Sequence, residues 1–277
     1  MKLERFISGF SLVELAVVVL VIGVLLGGVL GVQEIRQNAR LTATIMQVKS
    51  YGAATAIFLD RFGALPGDLR GAAQRLPGCE SGRGVCEAAS AAGTTGDGNV
   101  GVPGAITRHQ TQGAVPAEGE TMLFWAHLLL TDLIASVSDT YASPSVPVIA
   151  WGESHPAAPV GGGFHVKDAD GGVTSPLPGW PPGANQPTGT FVVLQRNIAS
   201  DLAPLQPGKQ ILTAREAARI DRKMDDGDPF KGSVVGYGSV SLMVGGLGCF
   251  AWTAVDRGVY DASHRGYDCG LAFGIAP

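Results

Sequence analysis

The chain has 277 residues, of which 45% are hydrophobic and only 16% are charged, while 40 are Gly and 17 are Pro. This composition is typical of a loop-rich globular body with few exposed helices. The formal net charge of −4 argues against a protein that binds the phosphate backbone of nucleic acids, so no nucleic-acid partner is expected.

The first long segment is apolar. Residues from Phe10 to Val32 contain one charged side chain, Glu14, and an apolar run of this length suffices for one transmembrane helix. An ordinary secretory signal has a shorter apolar core followed by a cleavage site of the Ala-x-Ala type, and no convincing site follows Val32. Basic residues flank the segment on both sides, so the positive-inside rule does not orient it. The sequence therefore predicts a transmembrane helix over residues 10–32.

A short basic leader precedes this segment. Residues 8–14 read Ser-Gly-Phe-Ser-Leu-Val-Glu, an order that resembles the prepilin-type cleavage and methylation signal of type IV pilins and type II secretion pseudopilins. The resemblance implies that prepilin peptidase cuts after Gly9 and methylates Phe10, the new N-terminal residue. Residues 1–9 would then be the leader peptide, which faces the cytoplasm.

Glu14 is the single acid of the apolar segment. A charged group at the centre of a bilayer costs roughly 2–3 kcal/mol, and less near its surface. Cleavage after Gly9 creates a free amine at Phe10, four residues away. The resemblance implies that the amine of a staggered neighbouring subunit neutralises Glu14 and fixes the axial register of a filament. The alternative is that Glu14 reaches the lipid headgroups from a shallow position.

Three glycines of this segment, Gly23, Gly27 and Gly31, follow one another at four-residue spacing. They therefore lie on one face of a helix, where small residues let membrane helices pack closely. The alternative is that membrane helices simply tolerate glycine.

The helical pattern continues beyond Val32 into a polar sequence. Its apolar positions recur at spacings of three and four, which is typical of an amphipathic helix packed on a globular body. These positions are Leu41, Ile45, Val48, Thr55, Phe58 and Phe62. Gly63 and Pro66 are expected to end the helix, which gives an amphipathic continuation over residues 33–62. The turn that follows, Gly-Ala-Leu-Pro-Gly-Asp at residues 63–68, also resembles pilin-like proteins.

Residues 63–277 are predicted to form a periplasmic globular head. A buried helix is expected over residues 120–134, with His127 as a core residue rather than a metal ligand. Thr213 and Glu216 form a capping box that opens a helix ending near Met224, which Gly227 closes. Strands are expected over residues 191–194 and 233–244, and irregular loops over residues 71–119 and 143–187. The predicted fold class is α+β, in which one long N-terminal helix, half transmembrane and half amphipathic, packs on a loop-rich head with a small antiparallel β-sheet.

The four cysteines form two pairs that are close in sequence. They are Cys79, Cys86, Cys249 and Cys269. In the oxidising periplasm, two local disulfides are the simplest pairing, and a C-terminal disulfide loop resembles the variable edge of type IV pilins. A zinc site is the alternative, although neither pair has the Cys-x-x-Cys spacing.

Two acidic stretches could hold a cation. Asp97 and Asn99 alternate as oxygen ligands do in calcium loops, and four acids lie between Asp221 and Asp228. Neither stretch has the spacing of a complete coordination shell, so turn-forming roles are favoured. No cofactor and no metal are expected.

Catalytic motifs are not found, because the five histidines are scattered and no Gly-x-Ser-x-Gly, His-Glu-x-x-His or Walker-type sequence is present. The expected function is that of a pilin-like structural subunit, not an enzyme, assembled into a type IV pilus or a type II secretion pseudopilus. The implied partners are prepilin peptidase, other pilin or pseudopilin subunits, the assembly platform and the inner membrane, which the chain would cross once. The alternative is a membrane-tethered binding module or adhesin, such as a minor tip pilin, without a filament-forming role.

Overall fold

The computed structural model describes residues 11–79, 96, 98–100, 120–138, 150–170, 187–197, 208, 210–238, 248–252 and 258–276. Four helices and six strands lie in this part of the chain. The helices are α1 (Leu12–Phe62), α2 (Ala72–Arg75), α3 (Glu120–Leu130) and α4 (Ala214–Met224). The strands are β1 (Gly163–Asp170), β2 (Thr188–Gln195), β3 (Val234–Gly238), β4 (Phe250–Trp252), β5 (Gly258–Tyr260) and β6 (Cys269–Ala276).

Helix α1 has a cap at each end. The Ser11 side chain accepts a hydrogen bond from the Val13 N–H at 3.4 Å, as an N-cap serine should. At the other end Gly63 adopts the left-handed conformation (φ 72°), and its N–H donates to the Leu59 carbonyl at 2.8 Å. Glycine adopts this conformation at little cost. The helix therefore ends at Phe62, where the sequence predicted its end.

The prediction that α1 has a transmembrane half is wrong. In the part of the chain that the structure describes, no helix is both long enough and apolar enough to cross a bilayer. After Glu14, the next charged residues of α1 are Glu34, Arg36 and Arg40. This finding corrects the predicted fold class and overturns the single-pass inner-membrane location with a periplasmic head.

The second half of α1 packs on the head. Leu41, Val48, Tyr51 and Phe58 are at most 2% exposed. Successive members are seven or three residues apart, which is about two turns or one turn, so they lie on one side of the helix. The ring of Tyr51 contacts that of Trp125 in α3 edge to face, with 4.9 Å between ring centroids. The amphipathic pattern thus identified the correct inner face of α1.

The main sheet has the strand order β1-β2-β6-β3 and is antiparallel throughout. The C-terminal strand β6 lies between β2 and β3, with Val192 of β2 opposite Phe273 and Val235 of β3 opposite Ala272. Alternate residues of a strand point to opposite faces. Phe273 belongs to the core that includes α1, whereas Ala272 and Val235 belong to a smaller apolar cluster on the other face.

Strand β1 corrects the expectation that residues 143–187 form irregular loops. It pairs along its whole length with β2, from Gly163 opposite Gln195 to Asp170 opposite Thr188. Apolar and polar residues alternate only from Phe164 to Lys167, and the alternation breaks at the buried Asp168. So short a run is a weak signal for a strand.

Helix α3 is buried, as predicted, but ends at Leu130 rather than at residue 134. Asp132 adopts the left-handed conformation (φ 56°), and the Leu133 N–H donates to the Leu128 carbonyl at 3.0 Å. Aspartate is one of the residues that tolerate this conformation, and such a bond closes a helix.

The predicted capping box of α4 is confirmed. The Glu216 N–H donates to the Thr213 hydroxyl at 3.3 Å, and the Thr213 N–H donates to the Glu216 carboxylate at 2.8 Å. The helix packs on α1 through polar contacts, in which Gln37 donates to Glu216 and Arg219 donates to Asn38. The strand predicted after it begins at Val234 and is described to Gly238.

Candidate functional site: the exposed half of α1

The amino-terminal half of α1 extends away from the head with its apolar side chains in solvent. Between Leu12 and Leu25, every Leu, Val and Ile side chain is from 46% to 88% exposed. A contiguous apolar surface of this kind marks an interaction site. This half of α1 is therefore the strongest candidate for a functional site in the described structure.

Glu14 lies in the first turn of α1 and is exposed among these apolar residues. A carboxylate in the first turn interacts favourably with the partial positive charge of a helix amino terminus. Among the described residues Glu14 forms no ion pair. Gly9 and Phe10, the predicted processing residues, lie outside the described residues, so their roles stay predictions.

Gly23 lies in this exposed half and has open space around it. A Cβ atom placed on Gly23 would meet no atom within 4 Å, so no contact within the described chain requires glycine there. The positions of Gly27 and Gly31 fall in α1, but their surroundings lie outside what the structure describes. Close packing of a second helix on this face stays a prediction.

The acidic stretch after α4 forms a hydrogen-bonded turn. Asp221 accepts hydrogen bonds from the Tyr260 hydroxyl at 2.9 Å and from the Gly227 N–H at 3.1 Å. Asp225 accepts from the Val234 N–H at 3.0 Å. The carboxylate oxygens of Asp221, Asp225 and Asp226 lie within 4.8 Å of one another. These bonds support the turn-forming role that the sequence favoured over a cation site.

Burial alters the acidity of Asp221. The side chain is fully buried, and the loss of solvation raises the pKa of its carboxyl to about 6, although the hydrogen bonds from Tyr260 and Gly227 act in the opposite direction. The neighbouring charges of Asp226 and Asp225 raise this pKa further.

The stretch around Asp97 and Asn99, for which a turn was favoured over a cation site, is held by two carboxylates that lie outside it. Asp68, which ends the turn after α1, accepts a hydrogen bond from the Gly98 N–H at 2.9 Å. Asp168 of β1 accepts from the Val100 N–H at 2.8 Å. Asp97 lies outside the described residues. Through these hydrogen bonds, Asp68 and Asp168 hold the segment at residues 98–100 on the head.

One predicted disulfide is confirmed, because Cys249 and Cys269 are bonded to each other and both are buried. The bond joins the residue before β4 to the first residue of β6. Cys79 is buried as well, whereas Cys86 lies outside the described residues, so this second pairing stays a prediction. The bond between Cys249 and Cys269 restricts the unfolded chain and so stabilises the folded state by roughly 3 kcal/mol.

His127 is a core residue, as the sequence predicted. It is fully buried, its Nδ1 atom accepts a hydrogen bond from the Gly67 N–H at 2.9 Å, and its ring stacks on that of Phe58 at 5.9 Å. The bond ties α3 to the turn that follows α1.

A cavity of about 400 Å³ opens at the carboxyl end of α1. Its described lining combines the apolar side chains of Leu59, Phe62 and Leu65 with Arg70 and Arg75. The Arg75 guanidinium donates a hydrogen bond to the Phe62 carbonyl at 2.6 Å. It therefore supplies a partner for a carbonyl of the last turn of α1, which has none within the helix.

Comparison with known proteins gives no match: no protein family, no curated protein and no solved structure matches this chain.

Proposed function

We propose that the chain is a pilin-like structural subunit that prepilin peptidase processes after Gly9 and that assembles with further subunits through the exposed half of α1. The filament is a type IV pilus or a type II secretion pseudopilus. The observation that carries the proposal is the exposed apolar surface from Leu12 to Leu25, interrupted by a single acid at Glu14. The order of residues 8–14 and its resemblance to the prepilin signal support the same function.

The exposed surface supplies a driving force for assembly. Full burial of one Val, Leu or Ile side chain contributes about 1.5–3 kcal/mol. Association costs at least about 4 kcal/mol in lost translational and rotational freedom. Burying several of these side chains against other helices therefore offsets the cost of association, whereas the head offers them no cover in the described structure.

Glu14 then sets which arrangement of helices is stable. Inside a bundle of apolar helices an unpaired carboxylate is costly, and the loss of one partner from a buried ion pair costs about 3–5 kcal/mol. The amine that processing creates at Phe10 of a neighbouring subunit is a suitable partner. For the two helices that share this ion pair, the pairing would select one axial displacement and reject the others.

Glu14→Ala should therefore reduce polymer formation by roughly 100-fold, which is about 3 kcal/mol of lost pairing. The measurement is the fraction of the processed chain, which begins at Phe10, that sediments as polymer in an ultracentrifuge. The matched control is Glu34→Ala, since Glu34 is also an exposed acid of α1 but lies beyond the apolar run. Glu34→Ala should polymerise like the wild type, and both variants should unfold at the wild-type temperature. Wild-type polymerisation of Glu14→Ala would contradict the proposal.

A further inference from the structure

The half of α1 that packs on the head also has an apolar outer side. Ile35, Met46 and Ile57 are from 53% to 69% exposed, and they follow one another at intervals of eleven residues. Eleven residues make three turns of an α-helix plus about 20°, so the three side chains line up. They face away from the buried side that Leu41 and Val48 occupy.

Small residues separate these large side chains. Ala39 and Thr42 lie between the first two, and Ser50 and Ala53 lie between the last two, all exposed. Large side chains therefore alternate with gaps along one line of the helix. A helix surface with this alternation fits another helix that carries the same alternation.

The same series continues into the exposed half of α1. Val24 precedes Ile35 by eleven residues and Val13 precedes Val24 by eleven, and they are 69% and 71% exposed. Val13, Val24, Ile35, Met46 and Ile57 together form what we name the outer ridge. An apolar repeat of eleven residues favours helices that wind around each other with a right-handed twist.

We infer that the outer ridge docks against the outer ridge of a second copy of this chain, parallel to it and displaced along the axis by one repeat. The displacement is about 16 Å, which is eleven residues at 1.5 Å each. Ile35 of one copy then lies level with Met46 of the next, and Met46 lies level with Ile57. The inference rests on the proposed assembly and extends it to the half of α1 that belongs to the head. The copy that docks on the ridge is a different neighbour from the one whose Phe10 amine pairs with Glu14, because that pairing requires a displacement of about four residues, or roughly 6 Å.

Charged residues beside the ridge favour a second copy of this chain as the partner, and they favour a displacement of eleven residues. Lys49 and Asp60 are also eleven residues apart and exposed, and within the described structure neither forms an ion pair. A displacement of one repeat brings Lys49 of one copy level with Asp60 of its neighbour. An unshifted parallel pair would instead place Lys49 beside Lys49 and Asp60 beside Asp60, which is unfavourable.

A carbodiimide that joins a lysine amine directly to a carboxylate tests this contact in polymers of the processed chain. Within one chain Lys49 and Asp60 are about 16 Å apart on a straight helix, so a bond between them can form only between copies. We expect cross-linked dimers in which mass spectrometry identifies a Lys49 peptide joined to an Asp60 peptide. Lys49→Arg, which keeps the charge but removes the amine, should polymerise normally and lose this link.

A second pair of variants tests the ridge itself. Met46→Glu places a charge on the ridge and should lower the sedimenting fraction by roughly ten-fold or more, since a buried unpaired charge is costly. Val259→Glu is the matched control, because Val259 is an apolar residue of β5 that is 46% exposed. It should polymerise like the wild type. Unfolding curves of both variants report whether the head stays folded.

The outcomes separate this inference from the proposed function. If the wild-type chain polymerises but yields no bond between Lys49 and Asp60, and Met46→Glu polymerises equally well, the ridge contact is overturned and the proposed function stands. If the wild-type chain stays monomeric after processing, both are overturned.

Discussion

Phe58→Ala lowers the free energy of unfolding of the head by about 3–5 kcal/mol, the usual cost of removing a buried phenylalanine ring. Phe58 is fully buried, although it belongs to the same helix as the exposed apolar half. Its ring packs at 4.5 Å from that of Phe62 and at 5.9 Å from that of His127. Truncation would leave a cavity between α1 and α3 that the surrounding chain cannot fill. Chemical denaturation, followed by circular dichroism, measures this loss.

Ile57→Ala is the matched control, because Ile57 is the adjacent large apolar residue of the same helix and is 53% exposed. A change at such a position should alter the free energy of unfolding by no more than about 0.5 kcal/mol. Equal losses for the two variants would show that the second half of α1 does not pack on the head through the face described.

The stability of the head should fall as the pH rises from about 4 to about 6, because of Asp221. Burial raises the pKa of this carboxyl from 3.8 to about 6, so the folded state holds the proton more tightly than the unfolded chain does. Below pH 4 both states are protonated and Asp221 costs nothing. Above pH 6 both are ionised, and a shift of two pKa units corresponds to roughly 3 kcal/mol of lost stability.

Asp221→Asn removes this titration while leaving a side chain of similar shape beside Tyr260 and Gly227. The quantity to follow is the free energy of unfolding of the wild type minus that of the variant, measured at half-unit intervals from pH 4 to pH 7. This difference should decrease by up to roughly 3 kcal/mol across the interval. A difference that stays constant would refute the raised pKa.

The elements that the sequence predicted well are those whose signals are local. The inner face of α1 follows from the spacing of Leu41, Val48 and Phe58, and the start of α4 follows from the capping box of Thr213 and Glu216. The disulfide between Cys249 and Cys269 joins residues that are close in sequence. In each of these cases the physical cause lies within a few turns of the chain.

The elements that it missed depend on distant partners. Strand β1 carries Asp168, whose carboxylate is satisfied by the Thr190 hydroxyl at 2.5 Å and by the Val100 N–H at 2.8 Å. Nothing within β1 shows that these partners exist. A polar residue that looks exposed in the sequence is therefore buried in the fold. The same holds for Asp68, whose role depends on the backbone of a segment about 30 residues away.

The candidate site was predicted in part. The sequence identified Glu14 and the apolar run around it, but it did not identify the outer ridge. An eleven-residue series of large apolar residues becomes meaningful only once the head is known to cover the opposite side of α1. The transmembrane half was predicted from the length of the apolar run and its single charge, but no helix in the described part of the chain is long and apolar enough to cross a bilayer.

The mass of the native chain, measured on protein isolated from its polymer, tests the proposed function most directly. We expect a chain that begins at Phe10 and carries one additional methyl group on its terminal amine. A polymer built from chains that still begin at Met1 would contradict the proposed function, because the Phe10 amine that pairs with Glu14 would then not exist.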